Sequence, residues 1–537
     1  MLWKIISFFW NIFRPRISFW GLILPFVPLI VGTLLFWLSW TYSFRCFVRP
    51  YLLMKKFKNL NGARTILTPL LGIFWHFKRD EKIRGDFHHL SKKQMQEQPA
   101  TRFIVSPYKD KLQIILYDTD LVKEFMAKEA AFTCKDPRKF KLFHRSGHRG
   151  GAFAQGEGDK RTSQREFIAS TLNNEFITNF IPTIQSTAKE WIGHCFKEST
   201  NTADVVKKVR WFTAKIGTKL FFGQEGFSSP EEFKDFIKAG INIHPLWMQI
   251  KSSFWKFILG SKFHRFGLRK IDRQYNKQNK LLGKIYGEKI EQFRKRLLEQ
   301  EQAAEQQAAS TPQKSLLSMF LDSAKKSAKL FGNADIIGHF STFFSAETIA
   351  TASFLTSALY FLAKYKDVQD TLRSEIKEKY GKSESVSFET LAQMRYLDGF
   401  LKETLRMQPP TSLLYQRKVK ENMNLLDLKL KKGDRVNVDI LGIGHNPILF
   451  TDPTEFNPDR WLEKKDHDVK EWFAHLVFSA GSHKCPGQQL AMTEGKIFIC
   501  ELLQKFEISI EASQKVRLGF DFVYHIKSPL ELTFTKV

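Results

Sequence analysis

The chain has 537 residues, 43% of them hydrophobic and 51 of them phenylalanine, enough for a large core in one extended fold or two to three average domains. Its formal charge of +28 is spread along the chain without a recognisable nucleic-acid module, which argues against a nucleic-acid partner. An anionic membrane surface, an acidic protein or a diffusely solvated basic surface are the readings left.

Five scattered cysteines (Cys46, Cys134, Cys195, Cys485, Cys500) with no C-x-x-C pair argue against a disulfide framework or zinc site and for a reducing compartment. No N-x-[S/T] acceptor occurs, and no G-x-G-x-x-G, Walker A or H-E-x-x-H motif.

In chain order, residues 1–16 are apolar and aromatic with few charges, fit to lie in a membrane interface. Residues 17–44 carry no charge at all, and these 28 residues exceed the ~20 that span a bilayer as helix. Pro25 and Pro28 would kink such a span, which a membrane helix tolerates. A cleaved signal peptide is the competing reading, but its apolar region runs only ~7–15 residues. Lys4, Arg14 and Arg16 precede the span, whereas Arg45, Arg49, Lys55, Lys56 and Lys58 follow it. The positive-inside rule therefore puts the large body on the cytoplasmic side. Residues 45–72 form a basic linker, and 73–537 the body.

From about 160 to 410 the pattern is helix after helix, interrupted by the low-complexity run Glu299–Ser310, a solvated helix end or a connecting loop. Asn333–Tyr365 is a long apolar helix pattern broken by Ser345-Ala346-Glu347-Thr348. An acid and an alcohol inside an apolar helix are unusual, because neither faces solvent by pattern. Glu403-Thr-Leu-Arg406 places an acid and a base one helical turn apart, a pairing that by itself decorates many surfaces. Leu426, Leu428 and Leu430 alternate before Lys432-Gly433-Asp434, and Val436, Val438 and Ile440 alternate after it, which predicts a hairpin. Arg460 follows in Phe456-Asn-Pro-Asp-Arg460-Trp461. The last strong signal is Phe478-Ser-Ala-Gly481-Ser-His483-Lys-Cys485-Pro-Gly487 ahead of a helix over Leu490–Leu503. A helix start behind a loop thiol favours the anion. Phe506, Ile508 and Ile510, with Leu532 and Phe534, predict a second strand pair.

The loop's F-x-x-G-x-[R/H]-x-C-x-G pattern resembles the haem-thiolate loop of the cytochrome P450 family. The resemblance implies a mainly α fold with small β-sheets, the haem lying between a long distal helix and the helix after the cysteine. It implies haem b as cofactor and Cys485 as the iron's axial ligand, whose electron donation favours O–O cleavage. Phe478 would pack beside the sulfur, with Gly481 and Gly487 giving the backbone room to approach the macrocycle. Arg165, Arg417 and His483 would meet the haem propionates, His483 standing where arginine is more usual. Arg161 replaces the tryptophan of the family's W-x-x-x-R helix. Glu403, Arg406 and Arg460 would form a structural ion triad. Glu347 and Thr348 match the oxygen-activation segment, with the acid linked to solvent and the alcohol near the distal oxygen. Phe344 and Ser345 stand where smaller residues are usual, so the ring at 344 would narrow the distal pocket. Thr68-Pro69-Leu70-Leu71-Gly72 is similar to the hinge between anchor and body.

The implied activity is insertion of one oxygen atom from dioxygen into a hydrophobic lipid, sterol or xenobiotic. Electrons would come from an NADPH-dependent flavoprotein reductase with an acidic face, drawn by Lys484 and Lys496 among others. The protein would sit in the endoplasmic reticulum membrane by a single pass, in contact with its lipids. Phe143–Gln155 and Val523–Lys527 would line the substrate pocket. An isomerase or dehydratase of an oxygenated lipid would lack the acid–threonine pair. A non-catalytic haem-binding membrane protein is the other alternative.

Overall fold

The computed structural model describes residues 27–44, 48–67, 73–108, 111–135, 158–196, 200–223, 227, 229–251, 267–307, 315–327, 330–381, 385–414, 416–463, 469–527 and 529–537. The expected interfacial segment, the start of the span, the hinge 68–72 and the loop 143–155 lie outside them.

Helix α1 (Val27–Ser43) carries no charge in its first or last turn. Its large side chains lie bare, Phe36 at 70% and Trp40 at 64% exposure. The body's helices behave oppositely. Helix α2 (Thr119–Phe132) starts where Asp118 accepts from the N–H groups of Asp120 and Leu121, and it buries Leu121, Val122, Phe125 and Met126. Helices α3 (Asp159–Thr171), α4 (Val205–Phe222), α5 (Pro230–Lys251) and α6 (Lys270–Gln307) follow. The low-complexity run is thus helical as far as Gln307.

The long apolar pattern folds as α7 (Asn333–Ala346), a π-turn over Glu347–Thr351, and α8 (Ala352–Lys364). Taken together, Asn333–Lys364 is apolar enough to cross a bilayer, yet most of it is buried in the body. It is a core helix. Helix α9 (Arg395–Met407) carries the acid–base pair, and α10 (Gln488–Leu503) follows the cysteine loop.

Six strands lie side by side in the order Ala63–Thr65, Phe103–Tyr108, Lys111–Leu116, Arg435–Val438, Arg417–Val419 and Thr133–Lys135. The hairpin expected around Lys432-Gly433-Asp434 does not form. Leu428–Leu430 turns back at Leu426-Asp427 onto Met423–Leu425, and Arg435–Val438 pairs with Gln113–Leu116 and Arg417–Lys418. Arg435–Val438 is buried along its whole length. A strand covered on both faces belongs inside a sheet, not in an isolated ribbon. The C-terminal pair does form: Phe506–Ser509 runs antiparallel to Glu531–Lys536, which also binds Thr200–Asp204.

Candidate active site

The cysteine loop is tied at its base, where the Cys485 N–H donates to the Phe478 carbonyl at 2.7 Å. Gly481 is left-handed, φ +62, and a Cβ there would meet the Met126 carbonyl of α2 at 3.1 Å. Glycine is therefore required on two counts. Gly487, at φ −90, is the N-cap of α10 and has ordinary backbone geometry. It starts the helix behind the sulfur.

Burial pushes the Cys485 thiol up. The Gly487 N–H and the cations Arg165 and Lys484 pull it back, while Glu347 raises it further. A metal cation at the sulfur would reverse that balance and hold a thiolate. Although packed about by protein, the thiol opens onto a cavity of about 870 Å³. Arg161, Arg165, Phe478 and Leu405 are among its walls, and Glu347 and Thr348 are not. A lone open thiol, with Leu405 and Phe478 for apolar contact and Arg161 and Arg165 for charge, suits a flat apolar macrocycle that bears carboxylates.

The basic residues divide. Arg165 Nη2 donates to the Lys484 carbonyl at 2.5 Å, which ties α3 to the cysteine loop. Arg417 is buried, and its Nε donates to Glu129 Oε2 of α2 at 3.0 Å. Arg161, read from sequence only as a lost tryptophan, is 3% exposed, with Nη2 2.5 Å from His483 Nδ1. Two basic side chains this close favour an anion beside them.

On the other side of the site, the distal helix departs from α geometry where the chemistry falls. The π-turn opens at Glu347, and the Thr348 hydroxyl donates to the Phe344 carbonyl at 2.7 Å. Single π-turns inside helices recur at functional sites. Thr348 is buried and Glu347 is 8% exposed, so the acid is not on a solvent face. Glu347 packs its stem against Gly217 of α4, where a Cβ would sit 3.1 Å from Cγ. Its carboxyl meets Thr351 and Glu494 of α10. Burial raises Glu347 to about 7, the Glu494 and Thr351 hydrogen bonds opposing the rise. Glu494 carried no sequence motif and was missed.

The Phe344 ring is lodged in a notch. A Cβ on Gly240 of α5 would lie 2.4 Å from Phe344 Cε1, and the ring also meets Phe236 and Phe340. Its bulk is taken up between α5 and α7.

Glu403, Arg406 and Arg460 meet in one buried cluster. Arg406 Nε and Nη2 both donate to Glu403 at 2.8 Å, and Arg460 Nε donates to Glu403 Oε1 at 3.0 Å. Trp461 Nε1 and the Asn457 N–H add donors at 2.9 Å, partners the sequence did not signal. Arg406 spends its other N–H groups on the Gly444, Pro453 and Glu455 carbonyls. Burial pushes the Glu403 carboxyl up, but Arg406, Arg460 and the Asn457 N–H together hold it below the ordinary range.

A mainly helical body with a loop-borne thiol, a π-turned acid–alcohol helix and a buried ion triad defines a haem-thiolate enzyme. The cytochrome P450 family model matches residues 65–534, and the chain belongs to that family. It is 28% identical to cytochrome P450 4X1 of Mus musculus over 435 residues, 79% of this chain and 81% of that protein. It is 25% identical to cytochrome P450 4Z1 of Homo sapiens, over 67% of this chain and 70% of that one. The solved structure of retinoic acid bound cyanobacterial CYP120A1 has the same fold, with TM-score 0.68 and 19% identity, covering 88% of this chain and 99% of that one. The protein is accordingly a cytochrome P450 monooxygenase whose cofactor is haem b.

Proposed function

We propose that this chain hydroxylates a hydrophobic substrate of the lipid, sterol or xenobiotic kind at a membrane, with Cys485 as the iron ligand. The observation that carries the reading is the π-turn over Glu347–Thr351, a break in α geometry that falls on the buried Glu347 and Thr348. When bound, haem supplies the iron that activates dioxygen. Thr348 holds a hydroxyl at the opened turn, and Glu347 supplies a proton to it. Arg161, Arg165 and His483 would hold the propionates, and Phe478 would pack beside the sulfur. Arg417, already paired with Glu129, binds a propionate only as part of that pair.

The exposed aromatic face of α1 supports residues 17–44 as a single-pass anchor in the endoplasmic reticulum membrane, with the body (73–537) cytoplasmic. Lys484 and Lys496 line the cavity and would attract the acidic surface of an NADPH-dependent flavoprotein reductase. Lys496 is already held by Asp398 at 2.9 Å, so Lys484 is the stronger attraction.

Reduced full-length protein with carbon monoxide should show the red-shifted Soret band of a thiolate ligand, and Cys485→Ser should lose it. A histidine-type band in the wild type would end this reading. Binding spectra against lipid and sterol libraries, then turnover with NADPH and a reductase, identify the substrate class.

A further inference from the structure

Glu494 is a buried acid that the proposed function does not use. It lies fully buried in α10, and neither of its carboxyl oxygens has a hydrogen-bond donor. Glu347 Oε1, on the π-turn, is also buried and without a donor. Glu347 Oε2 has only the Thr351 hydroxyl, at 3.4 Å. Ionised carboxyls are acceptors only, so contact between two of them becomes a hydrogen bond only when one carries a proton. The π-turn offers Thr351, α4 offers the bare backbone of Gly217, and the cysteine loop offers Cys485. Among the described residues no lysine, arginine or histidine bears on either carboxyl.

We infer that Glu347 and Glu494 act as one acid pair: Glu494 keeps its proton and donates it as a hydrogen bond to Glu347, which is the member that exchanges a proton. This deepens the proposed role of Glu347 and rests on it for its link to catalysis. Glu494 is a positioning residue. Burial raises both acids, and Glu347's charge and hydrogen bond push Glu494 further up, whereas the Glu494 hydrogen bond draws Glu347 down. The direction agrees with the assignment, since like charges in one apolar site cannot both ionise. When Glu347 gives up its proton toward Thr348, a single negative charge remains, held by the Glu494 hydroxyl. A proton from solvent water then restores the pair.

Infrared spectroscopy of the ferric full-length protein tests this without turnover. The wild type should show two protonated-carboxyl C=O bands at pH about 6 and one at pH about 8, the titrating one being Glu347. Glu347→Gln should remove the titrating band and Glu494→Gln the constant one. Glu494→Gln keeps a donor and should leave the Glu347 midpoint near that of the wild type. Glu494→Leu removes the donor and should raise the proton affinity of Glu347 about tenfold or more. Wild-type protein without a protonated-carboxyl band, or a Glu494→Leu midpoint that does not move, would overturn the pair. The wild-type titration decides even if a variant fails to fold. If the bands behave as stated but Glu347→Gln turns over normally, the pair stands and the catalytic role of Glu347 falls.

Discussion

Two clusters of buried charge in this body are built on opposite rules. Around Glu403 the charges alternate in sign, with two arginines, an indole N–H and a backbone N–H on one carboxylate. Around Glu347 the only charged neighbour among the described residues is another carboxyl, and three buried oxygens lack donors. Burial is nearly equal in the two places, so burial alone does not decide what an acid does. A saturated carboxylate is fixed as an anion and fixes the chain around it. An unsaturated pair costs stability, and in return it holds a proton that can leave.

The contrast breaks most visibly in the triad. Arg406→Leu strands Glu403, a loss of about 3–5 kcal/mol where one partner of a buried ion network is removed. Domain stabilities run about 5–15 kcal/mol, so the expected result is little folded, haem-loaded protein, read by yield and the carbon monoxide spectrum. Wild-type yield from that variant would mean the triad is not what holds the body. Glu347→Gln should do the reverse, loading haem normally while product formation per electron falls on the order of 100-fold, the scale of a lost proton donor. Equal damage to folding in both variants would erase the distinction.

The same contrast predicts opposite dependences on pH. Arg406 and Arg460 depress the folded-state value of Glu403, so its contribution to stability is present above the ordinary carboxylate range and is lost as pH falls through the folded value. Glu347 is raised, so the folded state binds more protons than the unfolded one between 4.5 and about 7. Stability therefore falls as pH rises across that window. In the thermal midpoint of the full-length protein, Glu347→Gln should flatten the decline on the neutral side and leave the acid side unchanged. A wild-type curve with no such decline would remove the electrostatic half of the comparison.

The two clusters also differed in how far sequence could reach them. Glu403, Arg406 and Arg460 fall in a fixed order ahead of Cys485, and each sits in a short motif with its own spacing, so local pattern was enough. Glu347 and Thr348 stood out because they break an apolar helix. Glu494 does not stand out, because one acid in an apolar helix has no signature until the fold sets another acid opposite it. Arg161 looked like the loss of a tryptophan, and only the packing of α3 on the cysteine loop shows the cation beside His483. The misplaced hairpin has the same cause. Alternation at Val436 and Val438 identifies a strand, but the partner Gln113–Leu116 is more than three hundred residues away.

A smaller effect isolates what holds each cluster in place. The triad is held by its own ion pairs, whereas the π-turn of Glu347 continues α7, which is seated by apolar contact, the Phe344 ring in the notch at Gly240. Gly240→Ala puts a methyl 2.4 Å from that ring. Overpacking of this kind typically costs about 1–3 kcal/mol, because side chain and backbone must shift. The shift should travel one turn along the helix, since Thr348 donates to the Phe344 carbonyl. Glu347's infrared band should therefore move or broaden, while the carbon monoxide spectrum and the acid side of the stability profile stay as in the wild type. Phe344→Leu should relieve the clash, making the double variant more stable than Gly240→Ala alone, a coupling read from the four midpoints of a double-mutant cycle. Additive effects at 240 and 344 would show that the ring does not seat the helix, and the acid pair would need another support.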